Sequence, residues 1–454
     1  MKRILSALLA LTFLSAHALE LQPKAEYRSR RAALAEKLHG GIAILFAADE
    51  AQLDLMPYRQ DEDFFYLTGW NEPGAALLIL APTTASPSPM AGVPARDAQP
   101  YREILLLPSR NRRIELYTGV KLDAATANAA ATAGVDEVAA LTDLPAILNT
   151  AIVNNRGRLQ TIYGEPGAAH TRAVTAFTAA TLGVGEEPST RDVHPFINTL
   201  RAIKSPAEIE LLRKATDASI AGQLAGMRAI RPGVRERTVA GKEIAAFMAE
   251  GCERPSYAPI VGSGANSTTL HYSSNEAIMQ AGEVVVIDEA CEYSMYASDL
   301  TRTMPVSGHF TPRQLEIYNI VLGAQRAAIA AFVAGKSRIG GVTLRGADVQ
   351  DSLDKVAFDY MNAHGHDLHG ATLGKYFIHG IGHSVGIDVH DGLSTTEPLM
   401  PGMVFTIEPG IYIPEEKIGV RIEDVFYVAA DGKLVNLGES LPHDAADVEA
   451  AMKH

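Results

Sequence analysis

The 454-residue chain is poor in cysteine and contains a single tryptophan. Its two cysteines, Cys252 and Cys291, are too few for a disulfide framework or a zinc site built of thiolates. We expect both to be small, buried, free thiols. Cysteine chemistry is therefore not expected to hold this fold together.

The sequence also lacks an excess of positive charge and a long apolar run. Its formal net charge is −13 at pH 7, which argues against a nucleic-acid partner because phosphate binding needs clustered Lys and Arg. After the first residues, no apolar run approaches the length that crosses a bilayer, so no membrane span is expected. The 47% of hydrophobic and 20% of charged residues are ordinary for a globular protein, and the length predicts two domains.

The N-terminus has the features of a signal peptide. Lys2 and Arg3 precede an apolar stretch from Ile4 to Leu14, and Ala16-His17-Ala18 has the small-x-small cleavage pattern. We expect cleavage near Ala18 and an exported protein, periplasmic or secreted, that begins near Leu19. The alternative is a buried N-terminal helix.

Residues 19–198 are predicted to form an α/β domain, because short apolar runs alternate with helix-like stretches. A polar-faced helix is expected from Ala25 to Leu38, and a further helix-like stretch covers 168–182. The apolar runs with the length of strands are 42–46, 64–67, 75–80 and 104–107. The proline-rich segment 81–101 is expected to be a surface loop between two strands.

Residues 199–454 are predicted to form an α+β domain. Ser205-Pro206-Ala207-Glu208 is a capping box with proline at the first helical position, and it opens a helix to about Ala229. Thr311-Pro312-Arg313-Gln314 repeats this chemistry before a helix that ends near Gly335. Other helices are expected at 236–250 and 346–364, with strand-rich stretches between and after them.

Two predicted hairpins each present a pair of carboxylates. In the segment VVVIDEACEYSMYASDLTRT, a turn at Tyr293-Ser294 places Asp288 opposite Asp299. In MVFTIEPGIYIPEEKIGVRIED, a turn at Glu415-Glu416 places Glu408 opposite Glu423. Directly opposed carboxylates repel, so each pair requires a compensating positive charge. Two such pairs predict cations between the hairpins.

Histidines supply the remaining ligand. In FIHGIGHSVGIDVHDG, His379 and His383 share strand parity and are expected on one face. Four carboxylates with one imidazole are enough for two divalent metal ions. This oxygen-rich set suits Mn²⁺ better than the nitrogen- and sulfur-rich sites typical of Zn²⁺.

Several motifs together resemble the Xaa-Pro aminopeptidase (aminopeptidase P) and prolidase branch of the pita-bread metallopeptidases. The resemblance covers nearly all of the mature chain and includes YRQDEDFFYLTGWNEP at 58–73 in the first half. In the second half the matching motifs are VGSG…LHY (261–272), ASDLTRT (297–303), HGIGH (379–383), DVHD (388–391), EPGIY (408–412) and VRIED (420–424). It implies an aminopeptidase P-type first domain, a pita-bread second domain and peptide substrates with proline at position two. The expected assembly is a homo-oligomer.

The resemblance also implies roles for individual residues. The metal ligands it implies are Asp288, Asp299, His383, Glu408 and Glu423, with Asp299 and Glu423 bridging two ions. Glu408 is the implied proton shuttle. His271, His379 and His390 match histidines on the substrate side that stabilise the oxyanion. Tyr412 and Arg421 match positions that orient the metal carboxylates and the water.

One residue departs from the family pattern. The family often has small residues after the first aspartate, whereas this chain has Asp288-Glu289-Ala290. By strand alternation, Glu289 is expected to face away from the metals, in a structural role or against the other domain.

Three alternatives to an aminopeptidase remain open. A prolidase, restricted to Xaa-Pro dipeptides, would use the same ligands. Gly382-His383-Ser384-Val385-Gly386 matches the G-x-S-x-G pattern of serine hydrolases, but the residues after Ser384 are poor helix formers. A peptide-binding module without catalysis is the third, although all five ligand positions are filled.

Overall fold

The computed structural model describes residues 19–49, 57–85, 98–154, 160–162, 190–341, 350–392 and 394–453, with a few single positions between 172 and 179. The predicted signal peptide lies outside the described residues, as do most of the predicted helix at 168–182 and positions 86–97 of the proline-rich segment. Among the helices that are described, none has the length and apolarity needed to cross a membrane.

The first part of the chain is built on a six-stranded mixed sheet with the order β4-β3-β2-β1-β5-β6. Its strands are β1 (Ile42–Phe46), β2 (Ala76–Leu80), β3 (Arg102–Leu107), β4 (Glu137–Ala140), β5 (Gln160–Ile162) and β6 (Thr190–Asp192). The helices are α1 (Lys24–Lys37), α2 (Glu62–Thr68), α3 (Glu115–Thr118), α4 (Ala129–Ala133), α5 (Leu144–Asn154) and α6 (His194–Arg201), with a 3₁₀ turn at Leu141–Asp143. Helices and strands alternate, which is the α/β organisation predicted.

The apolar run at 64–67 was predicted as one of the strands, and that prediction is wrong. It lies in α2, which Asp61 caps by accepting a hydrogen bond from the Phe64 amide and which Gly69 ends with a positive φ of 64°. The run is apolar because α2 is buried on several sides, from Asp63 to Thr68, and so shows no amphipathic period.

The second part of the chain combines small antiparallel sheets with long helices. Its strands are β7 (Arg254–Pro255), β8 (Ile260–Ser263), β9 (Val284–Asp288), β10 (Cys291–Tyr293), β11 (Tyr296–Ala297), β12 (Thr301–Pro305), β13 (Val404–Ile407), β14 (Gly410–Ile413), β15 (Ile418–Arg421), β16 (Asp424–Val428) and β17 (Leu434–Asn436). The helices are α7 (Pro206–Ala229), α8 (Glu236–Ala249), α9 (Pro312–Ala331), α10 (Leu353–His364) and α11 (Ala445–Ala451), with 3₁₀ turns at Gly264–Thr268 and Leu373–Tyr376.

Both predicted capping boxes are present. The Ser205 hydroxyl accepts from the Glu208 amide, and the Thr311 hydroxyl accepts from the Gln314 amide. In each case the side chain three positions later, Glu208 or Gln314, accepts a hydrogen bond from the backbone N–H of the capping residue. The local sequence therefore determines where these helices begin. Helix α9 ends at Ala331, four residues before the predicted Gly335.

Cys252 and Cys291 form a disulfide, so the expectation of two free thiols is wrong. Their Cα atoms lie 6.1 Å apart although the residues are separated by 39 positions. Antiparallel pairing of β7 with β10, in which Cys291 lies opposite Pro255, brings the two strands together. A contact of this kind depends on tertiary pairing and leaves no local sequence pattern.

The two parts of the chain share one apolar core. Leu34 of α1 and Phe65 of α2 belong to the same buried cluster as Leu211, Tyr296 and Val385 from the second part. The predicted boundary between residues 198 and 199 falls inside α6 and stays a prediction. The common core ties the first part of the chain to the elements that carry the candidate site.

Candidate active site

The first predicted hairpin forms, but its register differs from the prediction by two residues. The turn lies at Ser294-Met295, and Asp288 is opposite Thr301 rather than Asp299. Ser294 and Met295 have φ of 52° and 73°, a pair of left-handed residues suited to a two-residue hairpin loop. A shift of two residues preserves parity, so Asp288 and Asp299 still face the same side.

The second predicted hairpin has the predicted register. Gly410 pairs with Arg421 in one ladder, and Ile407 pairs with Asp424 in the next. Glu408 and Glu423 lie between these ladders and keep the same alignment. The two hairpins meet at a bridge between Thr301 and Glu423, where the Thr301 hydroxyl donates to Glu423 Oε2 at 2.6 Å.

His383 contributes the nitrogen of the cluster. Its Nδ1 lies 3.1 Å from the Ser384 carbonyl, which only accepts, so Nδ1 carries the proton. Its Nε2 faces the carboxylates, 3.3 Å from Asp299 Oδ2 and 3.5 Å from Glu408 Oε1. Ligand atoms of Asp299, His383 and Glu423 lie within 4.8 Å of one another.

The acidic cluster has more negative charge than its protein partners compensate. Burial, followed by repulsion from Asp299 and Glu408, raises the pKa of Glu423 well above its usual range. Burial also raises the pKa of Glu408 and of Asp288, although Arg421 forms a salt bridge with Asp288.

The shortage of positive charge fits a metal centre. Glu423 Oε1 is buried without a hydrogen-bond partner in the described protein. Burial opposes the charge of His383, but its bond to Asp299 and the charges of Glu408 and Asp299 outweigh burial and raise its pKa to about 9. A buried carboxylate oxygen with no donor, beside an imidazole nitrogen aimed at the same point, is what divalent cations require.

Tyr257 is a site residue that the sequence did not reveal. Its hydroxyl lies 2.7 Å from Asp288 Oδ1 and 2.6 Å from Asp299 Oδ1, between the first two carboxylates. It precedes β8 in a segment without a local pattern that marks it. Thr301 is a second site residue that was not predicted. It lies two positions after Asp299 on the same predicted strand and so faces the same side, which is a signal that could have identified it.

A chain of hydrogen bonds runs from Arg421 to His379. Arg421 Nη1 donates to the Tyr412 oxygen at 2.8 Å, and that hydroxyl lies 2.8 Å from His379 Nε2. His379 Nδ1 donates to the Gly380 carbonyl at 2.8 Å. Both ring nitrogens of His379 therefore have partners in the protein, and Nδ1 also lies 3.9 Å from Glu408 Oε2.

Most of these side chains line one cavity of about 500 Å³. Of the predicted site residues, the lining includes Asp288, Asp299, His271, His379, His383, His390, Glu408, Arg421 and Glu423, and Tyr412 lies behind His379. Apolar side chains also line the cavity: Ala258, Ile260, Leu270 and Val389. The His390 ring lies 4.1 Å from that of His383. The cavity is thus lined by both charged and apolar side chains.

Glu289 lies away from this cavity, as predicted from strand alternation. It is fully buried, and its carboxyl meets that of Glu243 from α8 rather than the first domain. Glu289 is therefore not added to the predicted ligand set by this departure from the family pattern.

The serine-hydrolase alternative lacks its structural elbow. Ser384 is buried and bridges to Phe405, and the described residues 385–392 form no helix. Without a strand-turn-helix, its hydroxyl is not presented to a substrate.

Two family models match the chain: Metallopeptidase family M24 over residues 210–430 and Aminopeptidase P, N-terminal domain over residues 27–163. The chain is 33% identical to the Xaa-Pro aminopeptidase of Escherichia coli (strain K12) over 463 residues, which covers 94% of this chain and 97% of that protein. This similarity extends through both parts of the chain.

Solved structures are similar to this chain over nearly its whole length. Aminopeptidase P from E. coli with the inhibitor Pro-Leu has a TM-score of 0.81 at 29% identity, covering 95% of this chain and 99% of that one. Proline aminopeptidase P II from Yersinia pestis has a TM-score of 0.79 at 32% identity, with the same coverage. The fold is therefore an α/β aminopeptidase P-type domain followed by an α+β pita-bread domain, as the resemblance implied.

Proposed function

The chain belongs to metallopeptidase family M24, and from this membership we propose that it removes the N-terminal residue from peptides whose second residue is proline. The observation that carries the proposal is that the five predicted ligands and several apolar side chains line one cavity. The relatives named Xaa-Pro aminopeptidase favour this reaction over the dipeptide-restricted prolidase alternative.

The metal centre we propose holds two divalent ions between the hairpins. Its ligands are Asp288, Asp299, His383, Glu408 and Glu423. Bound cations would supply a water of lowered pKa and polarise the scissile carbonyl. We propose Mn²⁺ because four carboxylates and one imidazole form a hard ligand set.

Glu408 is the residue we assign to proton transfer. The bond before proline is a tertiary amide, so the leaving nitrogen departs only when it gains a proton. The Glu408 carboxyl lies beside His383 at the cavity floor, and burial raises its pKa, which favours both accepting a proton from water and returning it to the prolyl nitrogen.

The histidines divide between polar and apolar contacts with the peptide. His271 and His390 line the cavity and are assigned to the oxyanion and the peptide carbonyls. Both nitrogens of His379 are held by Tyr412 and Gly380. His379 also lines the cavity on the substrate side, and we propose that its ring contacts the pyrrolidine ring together with Ile260 and Leu270.

The test compares Xaa-Pro dipeptides with longer Xaa-Pro-Xaa peptides after metal removal and addition of Mn²⁺. We expect chelator-sensitive release of the first residue from the longer peptides. Cleavage of dipeptides alone would identify a prolidase. Retention of activity after removal of all bound metal would contradict the proposed chemistry.

We also propose that the protein is exported, because Lys2, Arg3 and the apolar stretch to Leu14 form a signal sequence. The Cys252–Cys291 disulfide supports this, since disulfides persist mainly in oxidising compartments. N-terminal sequencing from the native host should start near Leu19, and an intact Met1 would contradict export. The predicted homo-oligomer is checked by light scattering.

A further inference from the structure

Four buried charged side chains form a cluster between the two parts of the chain, and His194 Nδ1 lies 2.7 Å from Asp63 Oδ2 at its edge. Arg201, at the end of α6, donates from Nη1 to Asp63 Oδ1 at 2.7 Å and from Nε to Asp391 Oδ1 at 2.8 Å. Lys204 Nζ donates to Asp391 Oδ2 at 2.7 Å. All four are at most 5% exposed. Two cations thus neutralise two carboxylates that lie 328 positions apart in sequence.

This cluster is connected to the metal-binding histidine through one carbonyl oxygen. The Asp391 amide donates to the Ser384 carbonyl at 3.1 Å, and His383 Nδ1 donates to the same oxygen at 3.1 Å. The bond from Nδ1 fixes the tautomer that leaves Nε2 for the carboxylates. Asp391 also directly follows His390. A displacement of Asp391 would therefore also displace His383 and His390.

The same segment is tethered to the first domain at a second point. Arg59 Nη2 donates to the Ile387 carbonyl at 3.0 Å, and Arg59 Nε donates to Glu292 at 2.6 Å. The fit is tight: a Cβ on Gly386 would lie 2.1 Å from Asp391 Oδ2 and 2.9 Å from Lys204 Cε. Residues 384–391 thus follow the position of the first domain.

We propose that Asp63 and Arg201 are positioning residues for His383 and His390, so that the first domain takes part in building the active site. Asp63 accepts a hydrogen bond from Arg201, and Arg201 donates a second one to Asp391. The Asp391 amide in turn donates to the Ser384 carbonyl, and Asp391 fixes the backbone next to His390. Misplacement of a catalytic group by about 1 Å costs on the order of 10²-fold in rate. This proposal rests on the proposed function for its kinetic consequence but not for its effect on metal binding.

The test uses Asp63→Asn and Arg201→Lys in the full-length protein. Asp63→Asn removes one charge at constant size, whereas Arg201→Lys keeps the charge but cannot reach both carboxylates. We expect kcat to fall by about 10²-fold with KM changed only a few-fold. Affinity for Mn²⁺ alone, measured by chelator competition without substrate, should fall by about tenfold.

The matched control is Glu103→Gln. Glu103 forms an equally buried ion pair with Arg31 in the first domain and makes no contact with residues 384–391. We expect it to lower thermal stability while kcat and Mn²⁺ affinity stay within about twofold. If Asp63→Asn and Arg201→Lys lose stability but keep Mn²⁺ affinity and kcat, as Glu103→Gln does, the cluster is structural and the proposal is wrong.

A further variant covers the case in which Asp63→Asn fails to fold. Gly386→Ala changes no charge but pushes Asp391 from its position, and it should weaken Mn²⁺ binding in the same way. If no wild-type cleavage of Xaa-Pro peptides is found, the proposed substrate is wrong, but the Mn²⁺ measurements still decide the positioning role.

Discussion

At the scale of single residues, the five predicted ligands differ in how well the protein compensates their charge. Asp288 has the guanidinium of Arg421 and the hydroxyl of Tyr257. Glu423 has only the Thr301 hydroxyl on Oε2, and its Oε1 has no donor in the described protein. Asp299 has an intermediate degree of compensation: it shares the single proton of the Tyr257 hydroxyl with Asp288, and His383 Nε2 faces its other oxygen.

Asp299→Asn tests the proposed bridging position of Asp299. The amide keeps the size but removes one charge and one acceptor oxygen from the centre of the cluster. We expect bound metal and turnover to fall together, because both ions would lose a ligand. Metal analysis beside kinetics checks this, with the surface variant Asp359→Asn as control. Full metal occupancy at a normal rate would contradict the two-metal assignment.

His383→Ala and His390→Ala should separate metal binding from catalysis. His383 Nε2 faces the carboxylates, so its loss should empty the site first and abolish activity as a consequence. His390 lines the cavity, and its loss should lower turnover by about 10²–10³-fold while metal remains. Metal stoichiometry of both variants is the measurement. Metal loss in His390→Ala alone would show that the ligand is assigned to the wrong histidine.

At the scale of elements, helices α7 and α8 pack closely through two glycines of α7. A Cβ on Gly222 would lie 1.7 Å from the Phe247 ring, and a Cβ on Gly226 would lie 2.1 Å from Glu243 Oε1. Only glycine permits this approach. It encloses the carboxyls of Glu243 and Glu289, which have no other partner among the described side chains. A hydrogen bond between two carboxyls requires one of them to keep its proton.

Glu243→Gln tests this arrangement through the pH dependence of stability. Burial, followed by the charge of Glu289, raises the pKa of Glu243 well above its ordinary value. The folded state thus binds a proton that the unfolded state releases, so wild-type stability falls as pH rises above the ordinary carboxyl range. The variant should have a smaller slope, reduced by at most about 1.4 kcal/mol per pH unit, the contribution of one proton.

Urea unfolding of the metal-free protein between pH 5 and pH 8 measures the slope. Glu250→Gln, an exposed position directly after the same helix, is the control and should keep the wild-type slope. Equal slopes in wild type and Glu243→Gln would show that the pair does not share a proton.

At the scale of the whole molecule, the disulfide closes a loop that contains β8 and β9, the strand ending at Asp288. Cys252→Ser should lower the free energy of unfolding by about 3–4 kcal/mol, from the greater freedom of the unfolded chain. Denaturant unfolding with and without reductant checks this. Reductant should destabilise the wild type but leave the variant unchanged, and a variant as stable as the oxidised wild type would contradict a structural role.

Local sequence determined the start of two long helices and the alignment of one hairpin of the candidate site. The capping boxes at Ser205 and Thr311 set the starts of α7 and α9, because their hydrogen bonds lie within four residues. The second hairpin has the predicted alignment of Glu408 with Glu423, because alternation and a central turn determine register over a short distance.

Tertiary structure decided the features that join distant residues. The left-handed turn at Ser294-Met295 set the register of the first hairpin, although its sequence lacks the usual Asn-Gly signal. Strand pairing across 39 positions made the disulfide. Packing of the two domains brought Asp63 to Arg201 and Asp391. Such contacts depend on how whole elements pack. The sequence by itself therefore determined the candidate ligands and their order, whereas the tertiary structure decided which residues hold them in place.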